Sequence, residues 1–305
     1  MATIIHETSP KAKFAFTTSN SINSDESYQN YLTARNEADA LVEKHKLRNV
    51  ATLPQTILLQ DDPEFNAILD KTWVDTTSAE FQGTFKGHKY IVAHGFGPLA
   101  TAKGVDNNWL QKSKNYSFVP IDKDSWRELV KTDSVQVLTY DDILQEKDID
   151  LSQPYIIIAQ VNDSKFNYNK SGELSLNDFE NDSIVHMRAG SIKNAEKLSN
   201  FFKNTKNRLT AYNVHRFNEV GFKKCVGRPL FCWDNGVYGL DDDIDSVGVF
   251  VGVGDGVASV GDATAQKTNY STVVKPTLEQ TIDVLNDPDL NREGMIKKVT
   301  ELYNK

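Results

Sequence analysis

Hydrophobic positions along this chain fall into short runs broken by polar turns, and two periods alternate. KYIVAHG (89–95), SVQVLTY (134–140) and PYIIIAQV (154–161) are rich in β-branched and aromatic residues, the composition of strands. The run YIIIAQV is apolar without alternation, which predicts a strand covered on both faces. Helical spacing governs SDESYQNYLTARNEADALVEKHKL, where Tyr31, Leu32, Ala38, Leu41 and Val42 form an apolar stripe and Ser24 or Asp25 caps the start. It returns in SIKNAEKLSNFFKNT, with Ser191 as N-cap and Ala195, Leu198, Phe201 and Phe202 on one face.

Between these, TILLQ predicts a short strand, and DDPEFNAILDKTW a short helix with Pro63 in its first turn. DDILQEKDI predicts a further helix, and Ser175 with Asp178 the cap of another. LTAYNVHRF, PLFCW and VGVFVGVGDGVASVG predict strands around glycine turns. PTLEQTIDVLND and NREGMIKKVTELYNK close the chain as helices. The mixture implies an α/β (or α+β) fold: a layered mixed sheet with flanking helices, in a single large domain or two tightly packed lobes. Residues 1–25 are expected as an extended or flexible N-terminal arm, and 26–305 as the globular domain.

With 305 residues the chain is long enough to bury a core without disulfides or metals. Its 34 basic and 42 acidic residues give a net charge of −8, which disfavours general binding of nucleic acid. No apolar run is long enough to span a bilayer, and the start lacks the pattern of a secretory signal, so neither a membrane nor secretion is expected. Two cysteines, Cys225 and Cys232, are too few for a disulfide framework. A cytoplasmic setting follows as the expectation.

Two stretches carry candidate chemistry. In YIVAHGFGPLATAKG a strand ends on His94, and Gly95 and Gly97 follow, with Lys103 soon after. Glycines let backbone N–H groups approach an anion, and the end of a sheet strand is where ligands collect in α/β folds. The HGFG segment resembles, over about four residues, the oxyanion loop of α/β-hydrolases, which often begins with His-Gly at the end of a strand. The chain has no G-x-S-x-G elbow to supply the nucleophile that this family uses. A tight turn whose histidine makes one hydrogen bond is the alternative.

The second stretch, WDNGVYGLDDDIDS, places Asp234, Asp241, Asp242, Asp243 and Asp245 close together. Hard cations relieve such crowding, so Mg²⁺ or Ca²⁺ on Asp234, Asp241 and Asp243 is the expected metal site, with a solvated acidic turn as the alternative. His186 with Arg188, and His215 with Arg216, each pair a general base with an anion binder. A catalytic set of His94, His186 and His215 is therefore expected, with Gly95, Gly97, Lys103 and Arg188 binding substrate. Together these imply a soluble, metal-assisted hydrolase of a small polar or anionic substrate. The rival class is a non-catalytic binding or structural protein.

Overall fold

The structure, a computed structural model, describes residues 5–8, 12–19, 27–69, 72–84, 87–108, 119–131, 135–168, 172–205, 212–214, 225–233, 236–239, 248–255 and 257. All of them belong to the unit Met1–Gly261. The segment expected as an arm contributes two strands, β1 (Ile5–Thr8) and β2 (Ala12–Phe16), paired antiparallel. Helix α1 (Ser27–His45) follows, then the short strand β3 (Asn49–Val50).

TILLQ is helical, contrary to the strand expected. Helix α2 (Leu53–Leu58) begins with a capping box in which the Thr52 hydroxyl accepts from the Gln55 N–H and the Gln55 side chain accepts from the Thr52 N–H. That reciprocal pair, with Pro54 in the first turn, outweighs the β preference of Thr56 and Ile57. A 3₁₀ turn (Leu59–Asp61) and α3 (Pro63–Leu69) complete the segment.

The next elements are β4 (Trp73–Thr84), β5 (His88–His94), α4 (Ala102–Asn108), β6 (Val119–Pro120) and α5 (Lys123–Lys131). They lead into β7 (Gln136–Thr139), α6 (Tyr140–Leu144) and β8 (Tyr155–Gln160). After them come β9 (Gly172–Leu174), α7 (Leu176–Glu180), α8 (Ser183–Ala189) and α9 (Ile192–Thr205). The last described elements are β10 (Tyr212–Val214), β11 (Val226–Trp233), β12 (Gly236–Gly239) and β13 (Gly248–Val253).

The main sheet runs β1-β2-β13-β4-β5-β8-β7, with β11 beside β4 and carrying β6 and β12, and with β3 on β13. Pairing is mixed: β13–β4 and β7–β8 are parallel, the other pairs of this sheet antiparallel. This is an α+β fold. Alternate side chains of the central strands feed two cores. Tyr90, Val92 and Ile157 pack with Leu53, Ile184, Val185 and Leu198 of the helices α2, α8 and α9. Phe81, Ile91, Ala93 and Ile156 pack with Tyr31, Ala34, Val105, Trp126 and Leu129 of α1, α4 and α5. Helices therefore cover both faces of the middle of the sheet, as the run YIIIAQV implied.

Strand β4 is the organising element. Its register places β11 opposite Val74–Gln82 on one edge. The other edge is shared: β13 pairs with Trp73–Asp75 and β5 with Ser78–Thr84. The changeover falls at Thr77, whose N–H donates to the Ala51 carbonyl and whose own carbonyl accepts from the Gly95 N–H. A crevice lined by Thr77 lies at this changeover.

Candidate functional site

The crevice is a cleft of about 380 Å³. Its floor is Thr77 and Gly95; α1 supplies Arg35 and Asp39, and the turn into β3 supplies Arg48. Gly95 has φ +69°, the left-handed region, so a side chain there would be strained. A Cβ on it would also touch Thr52 at 3.4 Å. Gly95 follows directly on the last residue of β5, His94.

Arg35 is 4% exposed. Its Nη2 donates to the Ala100 carbonyl at 2.7 Å and lies 3.4 Å from Asp39 Oδ1, while the guanidinium stands 5.5 Å from the centre of the Phe250 ring. Nη1 is buried and has no hydrogen-bond partner among the described residues. Burial pulls the guanidinium below its ordinary pKa, against the opposing charge of Asp39. Arg48 is more open, and its Nη1 is 3.6 Å from Asp255, whose side chain is 91% exposed. Several other polar wall groups have internal partners. Asn49 donates to the Val50 carbonyl and Gln55 Oε1, Ser152 to Asp150, and Thr77 to backbone carbonyls.

His94 turns the other way, into the core beneath α8. It is fully buried, with Nε2 3.1 Å from the Met187 carbonyl and Nδ1 2.8 Å from Ser78 Oγ. A carbonyl only accepts, so the proton sits on Nε2 and Nδ1 accepts from the Ser78 hydroxyl. Ser78 Oγ in turn accepts from the Leu53 N–H at the start of α2. The histidine–serine contact has the spacing of a nucleophile and its base, but it forms a closed chain joining β4, β5, α2 and α8. Burial drives the His94 imidazole down to about 3, with the Met187 hydrogen bond opposing.

His186 lies in α8 with the same arrangement. Nε2 donates to the Glu180 carbonyl at 2.7 Å, and Nδ1 accepts from the Tyr140 hydroxyl at 3.1 Å. Burial lowers its pKa, against the Glu180 hydrogen bond. Arg188, on the same helix, is 0% exposed and bonds Glu80 through Nε at 3.0 Å and Nη2 at 3.1 Å. Glu80 also accepts from Arg228 of β11 and from the Tyr90 hydroxyl of β5. Burial pushes Glu80 up, yet Arg188 and Arg228 overcome it and hold the carboxyl below the ordinary range.

The remaining expected site residues are dispersed. Gly97, at φ +94°, closes a turn through its carbonyl to the Ala100 N–H, and a Cβ there would meet Leu129 at 2.9 Å. It does not line the cleft, and neither does Lys103, which is exposed on α4. His215, Asp234, Asp241 and Asp243 lie outside the described residues, as do the two expected C-terminal helices. Among the described residues no group of three or more metal-ligating side chains is assembled, and no helix is long and apolar enough to cross a membrane. Arg35, Arg48, Ser78 and Glu80 escape a motif search. Arg35 sits on a mixed helix, Arg48 in a polar turn, and Ser78 and Glu80 in a segment with the composition of a loop.

No protein-family model matches the chain, and no curated protein does. Among solved structures, one described as "Accommodation of massive sequence variation in Nanoarchaeota by the C-type lectin fold" is similar. It is 15% identical, with a TM-score of 0.52, and the match covers 81% of this chain and 100% of that one. At this identity the likeness is one of fold: an α+β arrangement of the C-type lectin kind.

Proposed function

We propose that this chain is a non-catalytic binding protein that uses a C-type-lectin-like scaffold to present a recognition surface, with the cleft at Thr77 and Gly95 as part of it. One observation carries this reading. The anion-binding candidate Arg188 and the described general-base candidates His94 and His186 are all buried and bonded to groups of the core. A general base has to reach the proton it removes, and these do not line the cleft.

The neighbour's description supports the reading from another side. A fold that accommodates massive sequence variation needs a core fixed independently of its surface. The Glu80 cluster, joining β4, β5, α8 and β11 from inside, is suited to that task.

The test is a paired screen of the purified full chain. Binding is read by thermal unfolding against a library of small acids, sugars and amino acids, because a ligand of the folded state raises stability by mass action. Turnover is read on activated esters and phosphate esters, with and without Mg²⁺ or Ca²⁺. Saturable binding without turnover is the expected result. Turnover above background that disappears in His94→Gln or His186→Gln overturns the proposal.

A further inference from the structure

Among the described residues, the cleft holds more positive charge than its lining side chains neutralise. Two guanidiniums, Arg35 and Arg48, face one carboxylate, Asp39, on its walls. Arg48's other partner, Asp255, is exposed and 3.6 Å away, a contact that solvent and salt screen strongly. Arg35 is nearly removed from water, so its charge is costly unless a negative group stands close. Asp39 is half exposed and meets it from one side, at 3.4 Å. Of the neutral polar groups of the wall, Asn49, Gln55 and Thr77 are engaged with one another or with backbone, and Ser152 with the Asp150 carboxylate.

From this excess we infer that the cleft binds the carboxylate of a small monoanionic ligand, with Arg48 contacting it and Arg35 supplying a fixed buried charge. The charge sets the class. Among the described lining side chains, with Asp255 outside the lining, two cations less one anion leave one unit to neutralise, which a carboxylate meets and a phosphate dianion exceeds. Gly95 contributes shape: its missing side chain leaves the floor open between Thr52 and Pro154. This inference rests on the binding reading above and names the chemistry of its ligand.

The experiment titrates the full chain with acetate and butyrate, with acetamide as the neutral control and inorganic phosphate as the dianion. Ionic strength is held fixed. Binding is followed by thermal unfolding and by the Nε–H signals of arginine in ¹H–¹⁵N spectra. The carboxylates are expected to saturate the site and acetamide to leave it empty. Arg48→Gln should weaken carboxylate binding about tenfold or more, as loss of a charge-assisted contact implies. Arg48→Lys should restore part of it. Because Arg48 is partly exposed, this test does not depend on a variant of buried Arg35 folding.

Equal responses to acetate and acetamide, or binding indifferent to Arg48→Gln, overturn the inference. Tighter binding of phosphate than of acetate overturns the carboxylate assignment. Saturable binding of a neutral compound that Arg48→Gln leaves intact refutes the anion site and leaves the binding function standing. Turnover of a bound acid does the reverse.

Discussion

Replacing Glu80 with glutamine keeps the size of the side chain and removes the charge on which Arg188 and Arg228 converge. The donors that reach this carboxylate include Arg188 Nε and Nη2, Arg228 Nε and the Tyr90 hydroxyl. The amide accepts through one oxygen and presents an N–H₂ where another acceptor stood. It thus opposes donor to donor and strands two buried cations. Breaking a buried ion pair from one side costs about 3–5 kcal/mol. With about 2–4 °C lost per kcal/mol in a unit of this size, the melting temperature should fall by ~6–20 °C.

The assay is thermal and urea unfolding of Glu80→Gln beside a variant with Glu80, Arg188 and Arg228 all changed to methionine. Replacing a whole buried ionic cluster by apolar groups is often neutral, so the triple variant should regain most of the loss. The same carboxylate gives a pH signature. Its folded pKa lies below the unfolded one, so its contribution is complete above about pH 4.3 and is lost as acid carries the protein through the folded value. Glu80→Gln should lack that acid limb. A melting temperature within about 2 °C of the parent would refute the account, because even 1 kcal/mol moves it that far. So would a triple variant less stable than Glu80→Gln.

Other consequences are as direct. Neutral, buried His94 holds its folded pKa at about 3 against an ordinary 6.5, so its contribution is complete above pH 6.5 and falls with acid towards pH 3. Urea unfolding should lose up to about 1.4 kcal/mol per pH unit in that window, a slope that His94→Gln abolishes. Gly190 ends α8 at φ +82°, and a Cβ there would fall on the Tyr155 hydroxyl and 2.8 Å from Pro54. Gly190→Ala should therefore cost ~2–5 kcal/mol from left-handed backbone strain and overpacking together, read as a lower urea midpoint. Thr52→Ala breaks the capping box of α2 and should cost about 1 kcal/mol by the same measurement.

The sequence announces elements whose apolar pattern has a single cause. KYIVAHG, SVQVLTY and PYIIIAQV become β5, β7 and β8; the stripe of Tyr31, Ala38 and Leu41 becomes the buried side of α1. Ser175 caps α7 as its spacing with Asp178 implies. Strand β4 escapes detection because WVDTTSAEFQGT has the composition of a loop, yet Asp75, Thr76, Ser78, Glu80 and Gln82 are buried along it. Their partners come from distant segments: Leu230 for Thr76, His94 for Ser78, Arg188 for Glu80. Polarity that is satisfied only in three dimensions cannot be told from polarity that faces water. The same blindness hid the cleft. Gly95 was visible as a turn at a strand end, whereas Arg35 reads as one more charge on a mixed helix and Arg48 as part of a polar turn.

The two-sided edge of β4 also sets a timetable for the nascent chain. Its partners β11 and β13 end at Trp233 and Val253, about 170 residues beyond the end of β4 in the case of β13. At roughly 5–20 residues per second, synthesis leaves this strand waiting on the order of 10–30 s before both edges can be closed. During that interval a ladder with buried-type polar side chains is open to any other strand. Thr76, Glu80 and Gln82 make it a poor match for an apolar stranger, since a wrong partner would bury them without acceptors or donors. The residues that conceal β4 from a reader of the sequence thus also guard it against mispairing while it waits.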